Sequence, residues 1–293
     1  MKKTIFTGAG VAIVTPMHED GSVNYDRLGE LIEEQIAEGT DSIIICGTTG
    51  ESSTLSDDEH IECIRYTIKK VGGRIPVIAG TGSNDTEYAK WMSIEANKAG
   101  ADGLLLVTPY YNKTSQRGIA AHFVTVADAV DIPIILYNVP SRTGCRIEIP
   151  TYKELAKHPN IAAAKEASGD ISLVARLAAE TDLDIYSGND DQTVAVMSLG
   201  GKGVISVASN VIPGQMHMMT EFALKGDFGK AAEIQLKYLE LMNVLFCDVN
   251  PIPVKEAMNL MGKSVGECRL PLVKMEDGKI EALKNVLRKY GMV

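Results

Sequence analysis

The sequence predicts an α/β fold, a (β/α)8 TIM barrel followed by a C-terminal helical extension. Eight short apolar runs alternate with amphipathic helical patterns almost from end to end. The runs are apolar without alternation, which is typical of parallel strands that are covered on both faces. Beyond Val207 the strand-like runs stop and only helical patterns follow. Eight strand–helix units are the number that closes a barrel of this type.

The predicted strands are 10–14, 42–46, 77–80, 103–107, 133–137, 161–165, 184–187 and 203–207. Helical patterns lie between them at 25–38, 58–71, 86–99, 116–129, 172–180 and 192–199. Asn24, Ser56, Asp170 and Asp190 stand where helix N-caps are expected. An open doubly wound sheet is the alternative fold, but no Gly-x-Gly-x-x-Gly follows the first strand, where a dinucleotide fingerprint belongs.

Four further helical patterns follow the last strand, at 213–225, 227–246, 253–261 and 279–290. Because the first of them would complete the barrel, we expect a catalytic barrel over residues 1–225 and a helical extension over residues 226–293. Methionines recur on the apolar faces of these helices: Met216, Met218, Met219, Met242, Met258 and Met261. We expect them in the core or at a subunit contact rather than around a cofactor.

The composition argues against several functional classes. A net charge of −9 without a basic cluster argues against nucleic acid and anionic membranes as partners. No apolar stretch is long enough to span a bilayer, and the five cysteines form no Cys-x-x-Cys pair, which indicates a reducing cytoplasm. The five histidines are dispersed, so we expect no metal, and no other cofactor is expected.

Lys165 is the first candidate catalytic residue, because it closes the apolar run 161–164. Burial disfavours an ammonium and lowers its pKa, and only a neutral amine can attack a ketone to form a Schiff base. The alternative is a lysine that extends to solvent at a strand end. Barrel enzymes carry their chemistry at the carboxyl ends of the strands. Lys165 lies at that end, whereas Lys202 begins strand eight and lies at the opposite one.

Other strands also end in polar residues. The Gly47-Thr48-Thr49-Gly50-Glu51 turn offers two hydroxyls and free backbone amides, which suit a carboxylate or a phosphate. The alternative is an ordinary strand-to-helix turn in which Thr and Gly serve only the backbone. Gly200-Gly201 precedes strand eight, so no second phosphate cradle is expected and a small carboxylate fits better. Tyr137 either relays protons or packs its ring in the core. Arg142 either binds a substrate carboxylate through two parallel N–H groups or is an ordinary loop arginine.

Three motifs together resemble the dihydrodipicolinate synthase family. They are Gly47-Thr48-Thr49-Gly50-Glu51, Tyr137-Asn138-Val139-Pro140-Ser141-Arg142-Thr143-Gly144 and Lys165-Glu166-Ala167-Ser168-Gly169-Asp170. The resemblance runs from the first strand into the C-terminal helices. The wider family of pyruvate-dependent Schiff-base aldolases also contains N-acetylneuraminate lyase and 2-keto-3-deoxy sugar-acid aldolases. Arg142 favours the synthases, because the lyases usually lack an arginine there.

The resemblance implies a class I aldolase-type lyase of lysine (diaminopimelate) biosynthesis, which condenses pyruvate with L-aspartate 4-semialdehyde to give 4-hydroxy-tetrahydrodipicolinate. It implies that Lys165 forms the imine with pyruvate and that Arg142 receives the carboxylate of the semialdehyde. Thr48 and Thr49 are implied to lie against the pyruvate carboxylate, and Gly188 to line the same substrate site. The alternatives are another aldolase of the wider family, or a catalytically silent barrel that acts as a binding or regulatory subunit.

The resemblance also implies a proton relay of Tyr137, Thr49 and Tyr111, with Tyr111 reaching into the site of a neighbouring subunit. The family is typically a homotetramer built as a dimer of dimers, which is the assembly we expect. Many bacterial members bind inhibitory lysine at a dimer interface, and the matching positions here are Ser52, His60, Asn84 and Tyr110.

Two positions depart from the lysine-sensitive pattern of the family. Asp57 stands where a histidine is common, and Tyr88 stands where a glutamate is common. Because an acidic partner for the lysine amines is lost, we expect weak or absent feedback inhibition.

Overall fold

Eight parallel strands close into a barrel in sequence order, and β1 pairs with β8 to complete it. The computed structural model describes Lys2 and residues 4–293. The strands are β1 (Gly8–Ala12), β2 (Ser42–Ile45), β3 (Val77–Gly80), β4 (Gly103–Val107), β5 (Ile134–Asn138), β6 (Ile161–Glu166), β7 (Asp184–Ser187) and β8 (Gly203–Ser206). Every strand lies within two residues of its predicted position. The predicted fold class is therefore confirmed.

Helices surround the barrel and continue beyond it. They are α1 (Tyr25–Ala37), α2 (Asp57–Val71), α3 (Thr86–Ala99), α4 (Gln116–Ala127), α5 (Pro140–Thr143), α6 (Ile149–Leu155), α7 (Ile171–Glu180), α8 (Thr193–Ser198), α9 (Pro213–Leu224), α10 (Phe228–Lys237), α11 (Leu239–Val244), α12 (Ile252–Leu260) and α13 (Asp277–Lys289). The short helices α5 and α6 were not predicted, because neither is long enough to show a helical repeat.

Three of the four predicted N-caps hold their helices in the expected way. Asn24, Ser56 and Asp170 each accept a hydrogen bond from the backbone amide three residues further on. Such caps satisfy amides that the first helical turn leaves free. Asp190 was wrongly predicted as a cap: its carboxylate is buried and turns toward the end of β8 instead.

The amino end of the barrel is closed by packed aromatic rings. Phe6 stacks on Tyr186 with ring centroids 4.3 Å apart, and the Tyr186 hydroxyl donates to the Phe6 carbonyl at 2.6 Å. Above them the interior is filled by apolar side chains from successive strands: Ile44, Ile78, Leu105, Ile135, Ala163 and Ile205. With the amino end and the middle of the barrel filled, room for a ligand is left at the carboxyl ends of the strands.

The extension differs from the prediction in one place. The predicted helix 227–246 was wrong as a single helix, because it is divided into α10 and α11 at Tyr238. Tyr238 leaves helical geometry at φ −102° and ψ 10°, and its ring stacks on Tyr290 near the end of α13 with centroids 5.3 Å apart. The break therefore brings α11 against α13.

The methionines of these helices are mostly core residues, as expected. Four are buried: Met216, Met219, Met242 and Met258. Met261 is partly buried against the same core, whereas Met218 is 44% exposed on α9. Across Lys2 and residues 4–293, no helix is both long and apolar enough to cross a membrane.

Candidate active site

A cavity of about 450 Å³ opens at the carboxyl ends of the barrel strands. Six of the predicted catalytic and substrate-binding residues line it: Thr48, Thr49, Tyr137, Arg142, Lys165 and Gly188. They come from the ends of β2, β5, β6 and β7 and from α5, which are far apart along the chain. The parallel barrel brings them together because it gathers every strand's carboxyl end at one face.

Lys165 is buried, with 6% of its surface exposed. It pairs in register with Tyr137 on β5, and its Nζ lies 4.3 Å from the centre of the Tyr137 ring. Burial lowers the pKa of Lys165 to about 8, although the nearby Asp190 carboxylate raises it, and the Arg142 charge lowers it further. The side chain therefore has an appreciable neutral fraction near pH 8.

Tyr137 is buried at the carboxyl end of β5 and lines the cavity together with Thr48 and Thr49. Burial raises the pKa of Tyr137, while the Arg142 charge and a hydrogen bond from the Thr48 side chain act against that rise. The resemblance implied Thr49 as the relay partner of Tyr137. In the structure Thr49 Oγ1 instead accepts a hydrogen bond from Asn250 Nδ2 at 3.0 Å. Of the two hydroxyls, that of Thr48 is the one that bears on the pKa of Tyr137.

The turn that carries Thr48 and Thr49 is tightly held. Its two flanking residues, Cys46 and Glu51, have left-handed φ values of 55° and 56°. The Thr15 hydroxyl donates to the Gly50 carbonyl at 2.7 Å. A Cβ at Gly50 would lie 3.2 Å from the Ile13 carbonyl oxygen, so this position has little room for a side chain.

A buried ion pair holds the same turn from below. Lys255 of α12 contacts Glu51, with 2.8 Å between Nζ and Oε1, and both side chains are almost fully buried. The second Glu51 oxygen accepts from the Arg269 backbone amide at 2.9 Å. This pair was not predicted from the sequence. Its only signals were an acid at the end of a Gly-Thr-rich turn and a lysine in an apolar helix.

Arg142 lies at the exposed mouth of the cavity, on α5. Pro140 begins this short helix, and Gly144, at φ 64°, ends it. One Arg142 nitrogen donates to the Asn250 carbonyl at 3.0 Å. The guanidinium has further N–H donors, and two parallel N–H groups match a carboxylate.

Asp190, which the sequence predicted to be a helix cap, is a buried carboxylate near Lys165. Its Oδ2 accepts from the amides of Val207 and Ala208 at 3.1 and 2.9 Å. Its Oδ1 has no hydrogen-bond partner among the described residues. Burial raises the pKa of Asp190, while hydrogen bonds and the Lys165 charge act against that rise. The strand-end position after Ser187-Gly188 was the signal that could have identified it.

Behind Lys165, on the outer side of the barrel, Glu166 is the centre of a buried network. Its carboxylate accepts from Asn138 Nδ2 at 2.9 and 3.1 Å, from the Tyr152 hydroxyl at 3.1 Å and from the Ser168 amide at 2.8 Å. Asn138 pairs with Glu166 in the β5–β6 register directly after Tyr137 pairs with Lys165. The network therefore joins the two strand ends that carry Tyr137 and Lys165.

Tyr111, the remaining predicted catalytic residue, lies outside the cavity. Its side chain is 90% exposed, and its backbone is left-handed at φ 67°. Within the single chain it contacts none of the cavity residues just described closely enough to form a hydrogen bond.

A second cavity of about 320 Å³ adjoins the first and shares Thr48, Val139 and Arg142 with it. Three of the four residues expected at a lysine site line it: Ser52, His60 and Tyr110. The His60 ring donates from Nε2 to the Gly80 carbonyl at 2.8 Å, and burial lowers the pKa of this histidine.

Asn84, the fourth residue, is not in the lining of this cavity. Its carbonyl accepts a hydrogen bond from Asn112 at 2.9 Å. Tyr88 does line the cavity, and its hydroxyl donates to Asp57 Oδ1 at 2.7 Å. The two residues that depart from the family pattern, Asp57 and Tyr88, are therefore hydrogen-bonded to each other.

No cluster of three or more His, Cys, Asp or Glu side chains able to hold a metal ion occurs within residues 2 and 4–293. The side chains of the site supply an amine, a phenol, two hydroxyls, a guanidinium and a buried carboxylate.

Comparison with known proteins gives a consistent result. The model of the dihydrodipicolinate synthetase family matches residues 5–290. The 4-hydroxy-tetrahydrodipicolinate synthase of Thermoanaerobacter sp. (strain X514) is 58% identical over 292 residues, which are 99% of this chain and 98% of that protein. The synthase of Lachnoclostridium phytofermentans is 57% identical, with 99% of each chain covered.

Solved structures agree with these relatives. The dihydrodipicolinate synthase of Aquifex aeolicus superposes with a TM-score of 0.96 at 46% identity, covering 98% of this chain and 99% of that one. The synthase of Acinetobacter baumannii, in a structure described as complexed with pyruvate, has a TM-score of 0.96 at 43% identity, covering 99% and 100%. Because the family match and these alignments span nearly the whole chain, the chain belongs to the dihydrodipicolinate synthetase family.

Proposed function

We propose that the chain condenses pyruvate with L-aspartate 4-semialdehyde through a lysine Schiff base to give 4-hydroxy-tetrahydrodipicolinate, in the diaminopimelate route to lysine. The observation that carries the proposal is the buried Lys165, whose pKa burial lowers to about 8 at the end of a barrel strand. The relatives named for this activity, aligned from end to end at 57–58% identity, support it.

Imine formation begins with the neutral amine of Lys165. The amine attacks the ketone carbon of pyruvate, and loss of one water gives a protonated imine. This cation is an electron sink. Removal of one proton from the pyruvate methyl group then leaves a neutral enamine, whose terminal carbon is the nucleophile.

Tyr137 is the proposed carrier of that proton, because its ring is 4.3 Å from Lys165 Nζ. We assign the relay hydroxyl beside it to Thr48. The enamine carbon attacks the aldehyde carbon, and the resulting alkoxide takes up the proton that the relay removed from the methyl group. The amine of the semialdehyde part then displaces Lys165 from the imine carbon, which closes the ring and frees the enzyme.

Three features of the cavity suit the two substrates. The Thr48-Thr49 turn offers hydroxyl donors to the pyruvate carboxylate, and Arg142 offers its guanidinium to the carboxylate of the semialdehyde. Gly188 leaves space beside the amine, because a Cβ there would lie 3.1 Å from Lys165 Cε and 2.5 Å from the Ala167 Cβ. Arg142 is also what favours this second substrate over those of the sugar-acid aldolases.

Borohydride trapping tests the proposed nucleophile. With pyruvate present, reduction should attach the reduced three-carbon acid to Lys165, as located by peptide mass mapping. Lys202, at the opposite end of the barrel, should stay unmodified, and Lys165→Ala should abolish the adduct. An unmodified Lys165 in the wild-type protein would overturn both the proposed reaction and the wider aldolase alternative.

The choice of acceptor is tested separately. Enzyme that forms the adduct is assayed for condensation of pyruvate with L-aspartate 4-semialdehyde. It is also assayed for cleavage of N-acetylneuraminate and of 2-keto-3-deoxy sugar acids. Of these substrates, we expect only the semialdehyde, together with pyruvate, to be turned over. Turnover of a sugar acid instead would keep the Schiff base but replace the substrate.

We also propose a cytoplasmic homotetramer, built as a dimer of dimers, in which Tyr111 completes the relay of the neighbouring subunit. Its 90% exposure supports a role outside its own chain. Refolding Lys165→Ala together with Tyr111→Phe tests this. Each mixed dimer would contain one intact site, so activity should return to roughly a quarter of the wild-type level. No recovery above the separate variants would contradict a shared site.

A further inference from the structure

Asn250, which was not predicted as a site residue, connects the helical extension to the cavity. It lies between α11 and α12, is 6% exposed and lines the cavity. Its side-chain nitrogen Nδ2 donates to Thr49 Oγ1 at 3.0 Å. Its backbone carbonyl accepts from Arg142 at 3.0 Å. One residue therefore contacts a group proposed to bind pyruvate and the group proposed to bind the semialdehyde.

The direction of the first hydrogen bond determines what Thr49 can do. An amide nitrogen only donates, so Thr49 Oγ1 must be the acceptor. The single hydroxyl proton of Thr49 is then not used in the contact with Asn250. A carboxylate only accepts hydrogen bonds, so a hydroxyl whose proton is free to donate is the form that suits the carboxylate of pyruvate.

The loop that carries Asn250 is anchored on both sides. Before it, Asp248 forms an ion pair with Lys279 of α13 at 2.7 Å. After it, Lys255 forms the buried ion pair with Glu51 and also donates to the Thr15 carbonyl at 3.2 Å. Both Glu51 and Thr15 hold the turn that contains Thr49. The relative positions of Asn250 and Thr49 are thus fixed by contacts independent of their own hydrogen bond.

We infer that Asn250 is a positioning residue for pyruvate recognition. Its side chain turns the Thr49 hydroxyl into a donor toward the substrate carboxylate, while its backbone carbonyl holds Arg142 in place. The inference rests on the proposed function. It assigns to the extension a direct part in the substrate site, which the division into a catalytic barrel and an added helical segment did not anticipate.

The two contacts of Asn250 predict an asymmetry between the substrates. Only the Thr49 contact uses the side chain, so Asn250→Ala removes it and leaves the carbonyl for Arg142. We expect the KM for pyruvate to rise roughly five-fold, the usual scale for one buried hydrogen bond. The KM for the semialdehyde should change less than two-fold.

A near-isosteric variant tests the donor direction. In Asn250→Asp the carboxylate can only accept, so the Thr49 proton turns away from the cavity. The KM for pyruvate should then rise further than in Asn250→Ala, by roughly thirty-fold, because a negative charge is also added. This variant keeps the size of the side chain and so retains the test if Asn250→Ala folds poorly.

Asn259 is the matched control. It lies in the same extension and also makes two side-chain hydrogen bonds, to the Gly266 carbonyl and the Val265 amide, but none to a cavity residue. Asn259→Ala should lower the melting temperature and leave both KM values unchanged. A purely structural role of Asn250 would give this same pattern and would overturn the inference.

A double-mutant cycle with Thr49→Val provides the decisive readout. If Asn250 acts through Thr49, Asn250→Ala should add little to the pyruvate KM once the hydroxyl is gone. Fully additive effects would show that Asn250 does not act through Thr49. All variants are first checked for the borohydride adduct with pyruvate. Loss of that adduct in the wild-type protein would refute the proposed function, whereas a normal adduct with additive effects would refute only the role of Asn250.

Discussion

Burial at the end of β6 determines how much of Lys165 is uncharged near neutral pH. An ordinary lysine with a pKa of 10.5 is neutral in only about three molecules in ten thousand at pH 7. With the pKa lowered to about 8, the neutral fraction is about a tenth. The barrel thus supplies the nucleophile by removing water from the amine rather than by placing a base beside it.

The rate of imine formation should therefore depend on pH with a midpoint near 8. Only the neutral amine reacts, so the rate should rise about ten-fold per pH unit below the midpoint and level off above it. Stopped-flow measurement with pyruvate alone isolates this step. Arg142→Met should move the midpoint to higher pH, because the Arg142 charge lowers the lysine pKa. A midpoint near 10 would show that the amine is not desolvated as described.

The residues that sequence reasoning identified are those whose signal is local. Lys165 follows an apolar run, and Thr48 lies in a turn of recognisable composition. Asp190 and Asn250 could not be assigned correctly, because their partners come from other parts of the chain: the amides after β8 for one, and Thr49, some 200 residues earlier, for the other. Only the closed barrel shows these partners.

At the scale of elements, the β5–β6 pair is held by the Glu166 network behind the cavity. Glu166→Gln replaces an acceptor of four hydrogen bonds by an amide with only one carbonyl oxygen, so at least one buried donor is left without a partner. We expect a loss of about 1–3 kcal/mol in the free energy of unfolding. A fall in kcat should accompany it, because Tyr137 and Lys165 directly precede Asn138 and Glu166.

Tyr152→Phe is the comparison for this network. It removes one hydrogen bond to Glu166 and leaves the carboxylate in place, so it should lose about 1 kcal/mol and little kcat. Urea unfolding and steady-state kinetics measure both quantities. Equal effects of the two substitutions on kcat would show that the network stabilises the fold without aligning the two strand ends.

The elements that were predicted well are those with a sustained period. Strand positions followed from apolar runs and helix starts from caps, and both held for the barrel except at Asp190. The extension is different, because the apolar pattern 227–246 continues through Tyr238 without a break. Contact with Tyr290 near the end of α13 decides where the helix ends, and that contact depends on tertiary structure.

At the scale of the whole molecule, the Glu51–Lys255 ion pair joins the extension to the barrel. Lys255→Met would leave Glu51 buried without its partner, so we expect a loss of about 3–5 kcal/mol in the free energy of unfolding. The double variant Glu51→Gln, Lys255→Met should recover much of it, because no lone charge remains. Urea unfolding measures both. If Lys255→Met lost less than about 1 kcal/mol, the pair would not be a major link.

Regulation by lysine belongs to this scale too, because the matching cavity is expected at a subunit interface. Tyr88 lines that cavity where lysine-sensitive members commonly have a glutamate, and its hydroxyl donates to Asp57, so this position offers an incoming ammonium no carboxylate. The His60 ring donates to the Gly80 carbonyl, and burial lowers its pKa, which disfavours the charged form that would attract a carboxylate. We therefore expect sub-millimolar lysine to leave condensation unchanged. Asp57→His with Tyr88→Glu should create inhibition, because it places a carboxylate at position 88 to bind an amine. Tyr88→Phe is the control, because it removes the hydrogen bond without adding a carboxylate. Half-inhibition of the wild-type protein by sub-millimolar lysine would contradict this expectation.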